Sequence, residues 1–241
     1  IYLDFPSVGA TENLMMAAVF AKGETILENT AREPEIFNLV DALRSMGAVI
    51  EADGTGVIRI QGVEGLKSSS ANIIPDRVEA STYILAGAAT NGEVTVANII
   101  PNHIDSLLAK LEEAGALLSV SDTEVTIYPS GRLKSVSLKT LPYPGFPTDM
   151  QSQMMALLSL GQGSSVIVEN VFENRFQIVD ELKRMGANIK VEGHTAVVEG
   201  VNRLHGARVR ATDLRAGASL VLAALAADGC TEIEEAGHIF R

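Results

Sequence analysis

Charged residues stand near the predicted starts of several helices in this chain of 241 residues. They are Arg77, Asp149, Asp213 and Arg215, together with Glu33 and Arg175 at matching places after a strand, and Arg241 at nearly the same place in the last repeat. A helix start presents free backbone N–H groups and a positive dipole end, which suits phosphates and carboxylates. The set is therefore typical of a site for a small anionic molecule.

Several polar residues near these helix starts also have an interpretation that involves no ligand. A simple helix cap or a first-turn acid explains Ser7, Asp76, Thr148, Asp149 and Glu33 equally well. Arg175 and Arg215 are harder to explain in this way, because a cation in the first turn opposes the helix dipole by a few tenths to about 1 kcal/mol. We expect each of these two arginines to face an anion or an acidic partner.

The elements that position these residues form a repeat. A helix rich in Met, Ala and Leu precedes each of Gly23, Gly92, Gly163 and Gly229, which are 69, 71 and 66 residues apart, and a β-rich run follows. In the first three copies an amphipathic helix that ends in Gly-Ala comes next, and strands follow it. Each repeat is predicted to run helix, strand, helix, strand, strand. The fourth stops halfway, so we expect the chain to be a piece of a longer protein.

Composition excludes several classes of function. The formal net charge of -11 argues against binding to nucleic acid or to an anionic membrane, since both need a basic field. A lone cysteine, Cys230, excludes an internal disulfide, fits a reducing compartment and is interpreted as a core residue. No apolar run has the length of a membrane span. Paired-cysteine and His-x-x-x-His spacings and glycine-rich phosphate loops are absent, so no metal site or cofactor is expected.

Five sequence strings resemble one known family. Residues 143–151 (YPGFPTDMQ), 171–176 (VFENRF) and 211–216 (ATDLRA) closely resemble the UDP-N-acetylglucosamine 1-carboxyvinyltransferase family, and residues 7–11 (SVGAT) and 32–36 (REPEI) are similar to it as well. The resemblance runs along the whole chain. One departure is Phe5, where some members of the family have a basic residue that contacts the diphosphate.

The resemblance implies an α/β (α+β) fold, the inside-out α/β barrel of enolpyruvyl transferases built from βαβαββ repeats. Residues 1–73 would be the last repeat of the first domain. Residues 74–241 would be the second domain, with three repeats of which the last is incomplete. The implied reaction transfers the enolpyruvyl group of phosphoenolpyruvate to the 3-hydroxyl of UDP-N-acetylglucosamine, in a cytoplasmic step of peptidoglycan synthesis, by an enzyme that is a monomer at full length. The family's reactive-cysteine loop would precede Ile1, so the chain alone is expected to have little activity.

The resemblance also implies roles for individual residues. Asp149 would be the base near the 3-hydroxyl, while Val171 and Thr148 would line the sugar-nucleotide site. Ser7, Val8 and Gly9 would contact the diphosphate. Arg215 and Arg241 would bind phosphoenolpyruvate as a clamp. Glu33, Asp213 and Arg175 would support the site as polar groups.

Two other interpretations stay open at this point. One is the shikimate-type enolpyruvyl transferase, which has the same repeats and a different acceptor. The other is a non-catalytic repeat scaffold that binds a protein partner, which would need a broad exposed apolar face instead of converging arginines and aspartates.

Overall fold

The computed structural model describes residues 1–239, which form two compact units. The first unit comprises residues 1–74 with residues 142–144, and the second comprises residues 75–141 with the chain from residue 145 onward. The predicted assignment of residues 1–73 and 74–241 to two domains of a longer protein stays a prediction. Within the described residues no helix is both long and apolar enough to cross a bilayer.

The first unit is a three-stranded antiparallel sheet with two helices. These are α1 (Val8–Ala18), β1 (Glu24–Glu28), α2 (Pro34–Ser45), β2 (Val49–Ala52) and β3 (Val57–Gln61), in the sheet order β1-β3-β2. The predicted order of helix, strand, helix, strand, strand is confirmed here. Proline at the first position of α2 fits its start, because that N–H has no partner within the helix. Buried Leu27, Ile36, Val40 and Ile60 form its core.

Gly62, directly after β3, lies where two backbone segments of the first unit touch. Its N–H donates to the carbonyl of Gly23 at 2.9 Å, and a Cβ at Gly62 would lie 1.5 Å from the carbonyl oxygen of Ala21. Main chain cannot move aside as a flexible side chain can. The glycine is therefore required by the close approach of the two segments.

We expect Gly62→Ala to lower the free energy of unfolding of the first unit by about 3 kcal/mol, since overpacking against fixed atoms costs that much. Gly65→Ala is the matched control, because Gly65 is exposed and its Cβ would meet nothing within 4 Å. Urea unfolding gives the free energy of unfolding of both variants, and amide exchange in β1 and β3 assigns any loss to the first unit. Equal stability of the two variants would contradict the predicted clash.

The second unit holds three further repeats around central helices. Its helices are α3 (Arg77–Thr90), α4 (Asp105–Glu113), α5 (Gln151–Leu158), α6 (Ile178–Arg184) and α7 (Leu214–Leu225). Its strands are β4 (Val94–Ala97), β5 (Leu117–Val120), β6 (Glu124–Tyr128), β7 (Leu138–Lys139), β8 (Ser164–Val168), β9 (Asn188–Glu192), β10 (Thr195–Glu199), β11 (Leu204–His205), β12 (Arg208–Arg210), β13 (Ala227–Asp228) and β14 (Glu232–Glu234). Short 3-10 helices span Pro101–Ile104, Thr148–Met150 and Ala236–His238.

The sheets of the second unit lie around these helices. One sheet has the antiparallel order β4-β6-β5, and another has the order β7-β8-β10-β9, in which β7 runs parallel to β8. Strands β11 and β12 pair in parallel with β13 and β14. Because α5 lies between the parallel strands β7 and β8, the run β7-α5-β8-α6-β9-β10 is one complete βαβαββ repeat.

Helix α5 occupies the centre of the second unit. All eight of its residues are buried, and it packs against both α3 and α7. A helix that is buried all round has no polar face to show to solvent, which explains the run Met154, Met155, Ala156, Leu157. The 3-10 turn that precedes α5 packs against α3 and α5 as well.

Candidate active site

The centre of the candidate site is Asp149 between two arginines, all in the second unit. One carboxylate oxygen, Oδ1, accepts from Arg175 Nη2 at 3.3 Å, and the other, Oδ2, accepts from Arg215 Nη2 at 2.9 Å. The side chains of Arg175 and Arg215 are 11% and 23% exposed, and that of Asp149 is 35% exposed. The carboxylate is thus oriented by two cations while about a third of its surface stays open to solvent or substrate.

Asp213 and the start of α7 place Arg215. The Oδ1 atom of Asp213 accepts from the backbone N–H of Arg215 at 2.8 Å and of Ala216 at 3.0 Å, which is a helix cap. Arg215 therefore stands in the first turn, against the helix dipole, as the sequence indicated. The acidic partner expected for it is Asp149, which belongs to the preceding repeat.

Arg175 lies on the segment between β8 and α6. Its guanidinium carbon is 4.3 Å from the centroid of the Phe172 ring, a cation–π contact that adds to the ion pair with Asp149. Its Nε atom is buried and has no hydrogen-bond partner in the described part of the chain. Asp149 is the acidic partner expected for Arg175, but the predicted position of Arg175 in the first turn of a helix is wrong, because α6 begins at Ile178.

Thr148 does not cap a helix, so the capping alternative is wrong for this residue. Residues 148–150 form a 3-10 turn, and the Thr148 hydroxyl instead lies 3.0 Å from both carboxylate oxygens of Glu169. Glu169 also accepts from the backbone N–H of Val171 at 2.9 Å, which fixes that residue next to the turn. Glu169 was missed by the sequence analysis, although a carboxylate directly after a strand as apolar as β8 is a usable signal.

The predicted site residues of the first unit gather at the starts of its two helices. Ser7 caps α1 by accepting from the Ala10 N–H at 3.3 Å, so the capping alternative is confirmed for it, as it is for Asp76 in the second unit. Val8 and Gly9 form the first turn of α1. Gly9 is exposed, and a Cβ there would meet nothing within 4 Å.

Glu33 lies one residue before α2 and makes no capping hydrogen bond, so it is not a first-turn acid. Its Oε1 atom is 3.5 Å from the backbone N of Tyr143, while Oε2 is buried without a hydrogen-bond partner among residues 1–239. Nearby on α1, burial first and the charge of Glu35 second raise the pKa of Glu12 above its usual value.

Three further sequence interpretations have different outcomes. Arg241 lies outside the described residues, so its predicted role stays a prediction. Cys230 is exposed, and its interpretation as a core residue is wrong because it lies in the loop between β13 and β14. Residues 1–239 contain no group of three or more His, Cys, Asp or Glu side chains that could hold a metal ion.

A cavity of about 360 Å³ lies elsewhere in the second unit, at the C-terminal ends of α3 and α5. Arg132 lines it and donates to the carbonyls of Leu160, Gly161 and Val201 and to the side chain of Asn202. A cation there compensates the negative dipole ends of the helices. These contacts explain Arg132 as a structural residue.

The chain matches the protein-family model of EPSP synthase (3-phosphoshikimate 1-carboxyvinyltransferase) over residues 1–241. The chain is 56% identical to UDP-N-acetylglucosamine 1-carboxyvinyltransferase 1 of Caldanaerobacter subterraneus subsp. tengcongensis, over all of the chain and 58% of that relative. It is 57% identical to UDP-N-acetylglucosamine 1-carboxyvinyltransferase 2 of Carboxydothermus hydrogenoformans, again over all of the chain and 57% of that relative. The chain thus spans less than two thirds of the length of these curated relatives.

Solved structures with a similar fold include the enolpyruvyl transferase NikO from Streptomyces tendae, with a TM-score of 0.87 and 30% identity over 96% of this chain and 55% of that one. EPSP synthase from Acinetobacter baumannii has a TM-score of 0.73 and 18% identity over 97% of this chain and 57% of that one, which shows the fold alone. The predicted α/β fold of enolpyruvyl transferases is confirmed.

Proposed function

Because the chain belongs to the EPSP synthase family, we propose that the protein transfers the enolpyruvyl group of phosphoenolpyruvate to the 3-hydroxyl of UDP-N-acetylglucosamine. The observation that carries the proposal is the Asp149 carboxylate held between Arg175 and Arg215. Relatives 52% to 57% identical over the whole chain are named UDP-N-acetylglucosamine 1-carboxyvinyltransferase, which supports this acceptor.

Asp149 is proposed as the base. A carboxylate has about four lone-pair sites, so two arginine contacts leave others to accept the proton of a hydroxyl group. As that proton moves to Asp149, the hydroxyl oxygen forms a bond to the enolpyruvyl carbon, the carbon–carbon double bond opens, and the methylene carbon takes a proton from a separate general acid to become a methyl group. Loss of a proton and release of phosphate from the tetrahedral adduct then restore the double bond. The two arginine contacts keep the acceptor oxygen in one orientation, which a general base requires.

Arg215 is proposed to bind the carboxylate or phosphate of phosphoenolpyruvate. A guanidinium has five N–H donors in one plane, so Arg215 can hold Asp149 and a planar anion together. Arg175 and Asp213 support this arrangement through Asp149 and through the cap of α7. Arg241 as a second clamp, Ser7, Val8 and Gly9 as contacts with the diphosphate, and Glu33 as a supporting polar group of the site are retained as proposals.

Thr148 and Val171 are proposed to line the sugar-nucleotide site. Both are tied to Glu169, and Thr148 is next to the proposed base. The proposal includes a cytoplasmic location, a monomeric full-length enzyme without nucleic-acid or membrane partners, and little turnover by this chain alone. The shikimate-type alternative is not favoured, because the relatives that are 52% to 57% identical to this chain are named as transferases of UDP-N-acetylglucosamine.

A hybrid enzyme tests the proposal. In it, the matching segment of the Caldanaerobacter relative is replaced by this chain, and phosphate release is measured with phosphoenolpyruvate and either UDP-N-acetylglucosamine or shikimate 3-phosphate. We expect turnover with UDP-N-acetylglucosamine only, and no turnover by the chain in isolation. The relative without the replacement is the positive control. An inactive but folded hybrid, or one that uses shikimate 3-phosphate alone, would overturn the proposal.

A further inference from the structure

Glu169 is a buried carboxylate with no ion pair among the described residues. It follows β8 directly and is 1% exposed. Removing a charge from water is costly unless hydrogen bonds replace the lost hydration. Such a residue therefore needs several donors aimed at it.

Four donors surround Glu169. Its Oε1 atom accepts from the Thr140 hydroxyl at 2.8 Å, from the Thr148 hydroxyl at 3.0 Å, and from the backbone N–H groups of Val171 and Phe172 at 2.9 Å each. Its Oε2 atom lies 3.0 Å from the same Thr148 hydroxyl. One side chain thus joins the residue after β7, the turn before α5 and the segment after β8.

These contacts reach both halves of the pair between Asp149 and Arg175. Thr148 precedes Asp149 in the 3-10 turn, and the Phe172 ring lies under the guanidinium of Arg175. We propose that Glu169 is a positioning residue, whose buried carboxylate fixes the acceptor-binding residues Thr148 and Val171 and the orientation of Asp149. This inference rests on the proposed function and adds to it a residue that acts through others, without touching substrate.

Substitutions at Glu169 separate its contacts. In Glu169→Gln the amide oxygen can keep the place of Oε1, while the amide nitrogen faces the Thr148 hydroxyl, which can turn to accept from it. In Glu169→Ala all four donors lose their acceptor. The glutamine variant is therefore the conservative one, and we expect it to retain most of the function that the alanine variant loses.

Glu181 supplies a matched control within the same unit. It is 9% exposed, lies on α6, and accepts from the backbone N–H of Arg210 at 3.0 Å and pairs with Arg184 at 3.7 Å. Removing either glutamate takes the acceptor from at least one backbone N–H group and so lowers stability. Only Glu169 is bonded to the predicted sugar-nucleotide residues.

The experiment measures steady-state kinetics of the hybrid enzyme at varied concentrations of each substrate. We expect Glu169→Ala to raise KM for UDP-N-acetylglucosamine about tenfold or more and to lower kcat, since displacements near 1 Å have effects of that order. Glu169→Gln should lie within about threefold of the unaltered hybrid in KM for UDP-N-acetylglucosamine, while Glu181→Ala should leave both constants within about twofold. Equal effects of Glu169→Ala and Glu181→Ala on KM for UDP-N-acetylglucosamine would show that Glu169 only stabilises the fold, and would overturn the proposal.

A second measurement is independent of turnover. In the 241-residue chain, amide exchange at Val171 and Phe172 should be faster by about tenfold or more in Glu169→Ala and unchanged in Glu181→Ala, because only the first loses their acceptor. If the unaltered hybrid is inactive, the proposed function fails while this exchange still decides whether Glu169 holds the segment. Unchanged exchange in Glu169→Ala would overturn the positioning role.

Discussion

Asp149→Asn is expected to lower kcat of the hybrid enzyme by about 10²- to 10⁴-fold, the usual effect of removing a general base. The amide keeps the size of the side chain but not its charge or its basicity. One of its two polar atoms becomes an N–H donor, so it must face either Arg175 or Arg215 with a donor instead of an acceptor. The orientation of the remaining oxygen is lost together with the proton acceptor.

The same substitution should change stability far less than activity. It leaves two arginines without their acidic partner, but the Asp149 side chain is 35% exposed, so solvent screens the repulsion and about 1 kcal/mol is expected. Asp180→Asn on α6 is the control, since Asp180 is an exposed acid of the same unit. Turnover of Asp149→Asn within tenfold of the unaltered hybrid would show that Asp149 is not the base.

Much of the fold could be predicted because each repeat has the same short sequence patterns. Glycines after apolar helices and the Gly-Ala ends of amphipathic helices depend on neighbouring residues alone, and the predicted order of elements is confirmed in β1 to β3 with α1 and α2. The strand expected directly after Gly229 begins only at Glu232, as β14, and a second short strand, β13, precedes the glycine. Gly206 packs there against the backbone of Cys230, a contact between distant segments that no local pattern records.

The candidate site also has features that the local sequence predicts and others that depend on contacts between distant segments. The helix dipole made an acidic partner for Arg215 predictable from one turn of sequence, but the identity of that partner, 66 residues away, follows only from how α5 and α7 pack. Glu169 was missed because a glutamate after a strand usually lies in solvent, and its buried state depends on hydroxyl donors from two distant segments, the residue after β7 and the turn before α5. Thr148 was interpreted as a cap because its spacing before α5 fits one, while the structure has a 3-10 turn in between.

Arg215→Lys is expected to lower kcat/KM for phosphoenolpyruvate by about 10²-fold or more, although the charge is conserved, because an ammonium cannot present the planar fork that binds two anions at once. In the structure one arm of this fork holds Asp149 at 2.9 Å. A lysine can keep that contact or bind the incoming anion. Arg203→Lys is the control, since Arg203 is 68% exposed and pairs with Asp228.

The kinetic pattern of Arg215→Lys distinguishes a substrate clamp from a structural ion pair. If Arg215 binds phosphoenolpyruvate, KM for this substrate rises while KM for UDP-N-acetylglucosamine stays within about threefold, the reverse of the expectation for Glu169→Ala. If Arg215 only orients Asp149, kcat falls and neither KM changes, because the base is displaced without the loss of a binding contact. Arg215 and Glu169 approach the Asp149 turn from different segments, α7 and the end of β8. Opposite substrate dependence in the two variants would therefore assign the enolpyruvyl donor to the α7 side of Asp149 and the sugar nucleotide to the β8 side.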